Sequence, residues 1–161
     1  MSVFDEQFPM KEDEQEALLR NRSECTFIWR TRGGWPVGVT MTYLAVDGKI
    51  WLACGGQRPR VSAVQRDDRV CVVVGEERPH NDSVTITIKG RCRVHDDETT
   101  KLWFFGELAR KAFPDENDYA RRQGLIAMLN TPGRVVLEVM PEERFSFDLA
   151  GLFRAAMSAA R

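Results

Sequence analysis

Residues 35–74, WPVGVTMTYLAVDGKIWLACGGQRPRVSAVQRDDRVCVVV, contain the pattern from which the fold follows. Two apolar runs, Val37 to Val46 and Lys49 to Cys54, meet at Asp47-Gly48. A type I′ turn needs positive φ at both central residues, so Asp-Gly between such runs predicts an antiparallel hairpin. The second run passes directly into Gly55-Gly56-Gln57-Arg58-Pro59-Arg60, and a short helix is expected from there to Arg66. Glycines let backbone N–H groups turn outward, a helix N-terminus points its positive dipole end at the same place, and arginine offers paired donors. The junction therefore reads either as a cup for an anion of the phosphate-monoester type or as a solvated basic loop. Neither GxxxxGK[ST] nor GxGxxG occurs there, which removes a Walker loop and a dinucleotide fingerprint. Arg66-Asp67-Asp68-Arg69 then turns into VCVVV (70–74), an apolar run expected to be a strand buried on both faces.

Along the second strand Val37, Val39, Met41 and Tyr43 point one way and Gly38, Thr40, Thr42 and Leu44 the other. The first set reads as core. The second, small and hydroxylated, fits equally a face approached by a flat ligand and a half-exposed strand. Working outward, Lys11 to Arg22 carries acids early and arginines late, as a helix prefers, with Ala17, Leu18 and Leu19 its apolar patch. Glu24 to Thr31 is a first strand, ending at Arg32-Gly33-Gly34, with Trp29 and Trp35 placed to pack across that turn. Downstream, Asp96 or Asp97 can cap a helix from about Glu98 to Ala112 whose stripe is Leu102, Phe105, Leu108 and Ala112. A further helix starts at Asp115 or Asn117 and stops at Leu129, before Asn130-Thr131-Pro132-Gly133, with Arg121 and Arg122 facing solvent. The tail 149–161 can form an amphipathic helix through Leu149, Leu152, Phe153 and Met157, packed on its own barrel or on a partner.

A chain of 161 residues, 43% hydrophobic and 29% charged, has the size and composition of one globular domain, with residues 1–22 as an N-terminal arm and helix. A net charge of -1 gives no global basic field, so nucleic acid is not expected as a partner. No apolar run reaches the ~18 residues of a membrane span, and the acidic start MSVFDEQFPMKEDEQE is unlike a signal peptide, pointing to the cytoplasm. Cys25, Cys54, Cys71 and Cys92 have no CxxC spacing and each lies in an expected strand, so they read as small buried hydrophobes and no metal site is expected. His80 and His95 have no carboxylate or cysteine at ligand spacing and read as surface residues with no acid-base role. Ser-His-Asp, HExxH and paired-carboxylate patterns are missing, which disfavours hydrolase chemistry.

The stretch WLACGGQRPRVSAVQRDDRVCVVV resembles the FMN-binding split β-barrel family related to pyridoxamine 5′-phosphate oxidase, whose members place a basic loop, a short helix and "rRDpRV" between two strands. SVTITIKGRCRV (83–94) is similar to that family's long strand ending in "v.G.a.v", and GRVVLEVMPEERFSFD (133–148) to its final "rvv.e..Pe.v..wD" pair. The resemblance runs over roughly residues 8 to 148, with the motifs in the family's order. It implies a mainly β fold with flanking helices, a six-stranded antiparallel split β-barrel.

The resemblance further implies that Arg60 binds the flavin phosphate, with Arg58 as second donor. Thr40 and Thr42 would border the phosphate and the ring, and Ala53 and Cys54 would run under the ribityl chain. Val39, Met41, Val61 and Thr85 complete the candidate set, and Trp103 is a candidate aromatic over the ring. Members acting on pyridoxamine phosphate carry an Arg/Lys pair on the second strand and an Arg-Leu-x-Pro ending; here the strand reads VGVTMTY and the chain ends GLFRAAMSAAR, so that particular activity is not implied. Ala63 also replaces an asparagine common in the short helix. The expectation is an FMN-dependent oxidoreductase acting on a small-molecule redox substrate, as a homodimer with its cofactor at the subunit interface. A non-catalytic flavin or haem carrier and an enzyme using the deazaflavin coenzyme are the alternatives.

Overall fold

The computed structural model describes residues 8–76 and 83–159; His80 lies outside the described residues. In chain order the elements are α1 (Glu12–Asn21), β1 (Glu24–Arg30), β2 (Pro36–Val46), β3 (Lys49–Gly55), α2 (Pro59–Arg66), β4 (Arg69–Glu76), β5 (Val84–His95), α3 (Glu98–Ala112), α4 (Tyr119–Leu129), β6 (Arg134–Asp148) and α5 (Leu149–Ala159). The strands form one closed antiparallel barrel in the order β1-β2-β3-β6-β5-β4, β4 returning to β1 through the register Phe27 to Val72. No helix among the described residues is long and apolar enough to cross a membrane.

Alternation of side chains fills the barrel. Cys25, Phe27 and Trp29 of β1, Ile50, Leu52 and Cys54 of β3, Val70, Val72 and Val74 of β4, Ile86 and Ile88 of β5, and Leu137 and Val139 of β6 form one inner core. β4 is not buried equally on both faces: Cys71 and Val73 face outward and are only half-buried, because helices cover the other side of the barrel. That cover is α3 with α4. Phe104 and Phe105 of α3 pack with Leu44 and Val136, and Trp51, Trp103, Leu108, Ile126 and Leu129 close around them.

Asp47 (φ 51) and Gly48 (φ 71) make the expected turn, and Tyr43 to Val46 pair with Leu52 to Lys49. α1 is held by its Leu18 and Leu19 and by Tyr43, whose buried hydroxyl donates to the Leu19 carbonyl at 2.6 Å. α3 starts where expected, the Asp97 carboxylate accepting from the Thr100 N–H at 2.8 Å. Its buried stripe differs from the expected one: Phe104, Phe105 and Ala109 are buried, whereas Leu102 and Ala112 are exposed. α4 starts at Tyr119, after a turn in which Asp115 accepts from the Asn117 N–H, so the two residues at which it was expected to start belong to that turn. Trp29 stacks on Phe27 at 6.0 Å rather than on Trp35, which is 75% exposed. Arg122 does not face solvent freely; it donates to the Phe113 and Asp115 carbonyls.

Candidate functional site

β2 changes partners halfway along. Pro36 to Thr42 pair with β1 alone, and only Tyr43 to Val46 continue onto β3. On the other side of the gap Ala53, Cys54 and Gly55 pair with β6 alone. The barrel wall is therefore split beyond Tyr43 and Leu52, and alternate backbone N–H and C=O groups of both strand edges point into the opening. A cleft of about 460 Å³ occupies the split. Thr40, Met41 and Thr42 form one side of it, Ala53, Cys54 and Gly55 the other, and Phe104, Phe105 and Leu108 of α3 with Leu129 of α4 make an apolar wall. Arg58, Arg60 and Arg134 complete the lining, which contains no carboxylate.

The electrostatics follow from that composition. Among the described residues none of the three arginines has a carboxylate partner within ion-pair distance. Arg60 and Arg134 are half-buried, and the Nε of each is buried without a hydrogen-bond partner. Each guanidinium carbon lies over an aromatic ring: Arg60 over Trp29 at 5.5 Å and Arg134 over Phe105 at 5.7 Å. Burial pushes the Cys54 thiol above its ordinary pKa, an effect that a hydrogen bond with the Arg60 side chain and the charges of Arg60, Arg134 and Arg58 only partly offset. The thiol thus stays protonated at neutral pH and does not neutralise the guanidinium groups.

The backbone of the glycine turn contributes less than its composition suggested. The Gly56 N–H donates to the Gly133 carbonyl at 2.7 Å and the Arg58 N–H to the Gly55 carbonyl at 3.1 Å, so both are already used inside the protein. Those two N–H groups are therefore not free to meet a ligand at this corner. Gly56 is still needed there, because a Cβ on it would stand 2.9 Å from the Gly133 carbonyl oxygen.

Of the residues singled out from the sequence, Thr40, Met41, Thr42, Ala53, Cys54, Arg58 and Arg60 come together in the cleft. Val39 is half-buried against the inner core, Val61 is buried in that core from α2, and Thr85 lies on β5 opposite Gly75 and Phe147; none of these lines the cleft. Trp103 packs edge-on against Trp51 at 4.7 Å, beside the wall and not in it. The sequence reading missed Arg134, Phe105, Leu108 and Leu129 as lining. An arginine directly after the Gly133 turn, which has φ 76, was the available signal, but its approach to the cleft depends on the β3–β6 pairing of Gly55 with Arg134.

His95 also requires correction. It is not an unpartnered surface residue: its Nε2 lies 2.7 Å from Oε2 of Glu138, which also accepts from Lys49 Nζ at 2.5 Å. Trp51 packs against the imidazole at 5.9 Å. The β5–β6 register places Glu138 opposite Arg93, diagonal to His95, a neighbour that spacing along the chain cannot reveal.

The sequence model of the pyridoxamine 5′-phosphate oxidase family matches residues 12–147. No curated protein matches the sequence. Among solved structures, the conserved hypothetical protein Rv2991 from Mycobacterium tuberculosis is similar with a TM-score of 0.77 at 17% identity, over 91% of this chain and 89% of that one. The flavocytochrome Anf3 from Azotobacter vinelandii is similar with a TM-score of 0.71 at 11% identity, over 92% of this chain and 72% of that one. A FAD-binding protein from Mesorhizobium loti has a TM-score of 0.59 at 13% identity, over 85% and 92% of the two chains. At these identities the three structures share the fold.

Proposed function

The chain belongs to the pyridoxamine 5′-phosphate oxidase family, and on that premise we propose that it binds flavin mononucleotide in the split between β2 and β3 and acts as an oxidoreductase on a small molecule. One observation carries the reading: an apolar-walled cleft bordered by two open strand edges contains half-buried arginines that no carboxylate among the described residues neutralises. That donor set fits a phosphate monoester joined to a flat heteroaromatic ring. Flavin binding by two proteins of the same fold, a flavocytochrome and a FAD-binding protein, supports the choice of cofactor class.

In this reading Arg58 and Arg60 hold the phosphate. Thr40 and Thr42 offer hydroxyls and, with the free edge of β2, hydrogen-bond the polar rim of the ring, while Phe104 and Leu108 exclude water from one side. The flavin, when bound, supplies the two-electron redox chemistry, and the protein supplies position and a low-dielectric wall. The second strand reads VGVTMTY where pyridoxamine phosphate oxidases carry basic residues, so a substrate other than pyridoxamine phosphate is proposed. Exposed Val37, Leu102 and Met128 lie on three of the elements that border the cleft, which supports a homodimer in which a second copy covers it. A cytoplasmic location completes the proposal.

Titrating the purified protein in parallel with FMN, the deazaflavin coenzyme and haem tests the reading. FMN is expected to bind tightest and to show perturbed absorbance bands. Tighter binding of either alternative would replace FMN as the cofactor, and binding of none would remove the proposal.

A further inference from the structure

We propose that Arg134 is the third arm of the anion site, so that a phosphate dianion is held by Arg58, Arg60 and Arg134 together, over the Cys54 thiol; this rests on the reading that the cleft takes FMN. Arg134 opens β6 and sits opposite Gly55, the last residue of β3, in the ladder. The hydrogen bond from the Gly56 N–H to the Gly133 carbonyl ties its loop to the one that carries Arg58. Arg134 thus stands at the end of β3, beside the loop that leads to Arg58 and Arg60. All three arginines line the same cleft as Cys54.

Three further features separate Arg134 from an arginine that merely packs. Arg122 and Arg144, the other half-buried arginines described, satisfy their donors on the Phe113 and Asp115 carbonyls and on the Glu16 carboxylate. Among the described residues Arg60 and Arg134 have no carbonyl or carboxylate acceptor, Arg60 meeting only the weak Cys54 thiol, and a buried Nε without an acceptor is costly unless a ligand supplies it. Cation–π contact with Phe105 and Trp29 restrains the two side chains, so less side-chain freedom remains to be lost on binding. The charge count selects the ligand: a carboxylate would leave two of the three positive charges unmatched, whereas a phosphate monoester brings about −1.5 to −2 at neutral pH.

The test compares FMN with riboflavin, which lacks the phosphate, by flavin fluorescence quenching in wild type, Arg60→Ala and Arg134→Gln. Arg134→Gln is expected to weaken FMN by about tenfold or more, the lower end of a charge-assisted contact, and to leave riboflavin unchanged. Equal weakening of both ligands would show that Arg134 only supports the wall through Phe105, and no weakening would remove it from the site. Loss of FMN preference in Arg60→Ala but not in Arg134→Gln overturns the third arm alone. A wild type that does not prefer FMN overturns both this inference and the flavin reading. A second readout needs no variant: inorganic phosphate is expected to slow alkylation of Cys54, followed by mass spectrometry, while Cys71, which lies outside the cleft, is unaffected. Equal rates for Cys54 with and without phosphate would overturn the placement over the thiol.

Discussion

Glu138 is 3% exposed, the one carboxylate in the buried class among the described residues, and it accepts hydrogen bonds from Lys49 and His95. Burial alone pushes its pKa up; the two hydrogen bonds and the charge of Lys49 outweigh that and hold the carboxyl below its usual range. A carboxyl with a depressed folded pKa contributes stability that is fully present above the unfolded value of about 4.3 and is lost as pH falls through the folded one. Glu138→Gln is therefore expected to cost about 1.5–3 kcal/mol at pH 7 by urea denaturation. The deficit should shrink as the pH is taken below 4, and a pH-independent deficit would mean that packing, not charge, is what the side chain provides. This cluster and Arg134 were both invisible to sequence reading for one reason. Their partners are set by strand register: Glu138 meets His95 across β5–β6, and Arg134 meets Gly55 across β3–β6. Arg58 and Arg60 were legible because their loop is local.

At the level of elements, the β2–β3 hairpin could be read from two residues, and the strands that follow could be read from apolar alternation. The helices were harder. α3 was placed correctly by its Asp97 cap, but its buried stripe, Phe104, Phe105 and Ala109, differs from the expected one because the curved outer face of β2, β3 and β6 chooses which side is covered. The β5–β6 pairing contains a bulge: Lys89 pairs with Glu143 and Gly90 with Pro141, leaving Glu142 as the extra residue, next to a proline that has no N–H to give. A Cβ at Gly90 would lie 2.4 Å from the Met140 carbonyl oxygen, whereas one at Gly48 meets nothing and is opposed only by its φ of +71°. Gly48→Ala is expected to cost about 1 kcal/mol, and Gly90→Ala more, about 1–3 kcal/mol with a lower Tm. Equal Tm values for the two variants would mean that the bulge is free to relax.

Over the whole molecule, a net charge of -1 conceals a strong separation of charge, since the cleft lining holds three arginines and no acid. The barrel explains how that separation is maintained. β2 pairs with β3 only from Tyr43 onward, the split before it exposes two strand edges, and β6 returns to bring Arg134 against the end of β3. The order of motifs along the chain was enough to anticipate a split barrel, because each motif is a local strand or turn signal. The aromatic wall and the third arginine arise only when the barrel closes and α3 packs on it. The most direct test of this account is a crystal structure of the protein with FMN. It predicts the phosphate within hydrogen-bond distance of Arg58, Arg60 and Arg134, with the ring lying along Thr40 to Thr42; phosphate density at any other corner, or a ring bound with the three arginines facing solvent, would contradict it.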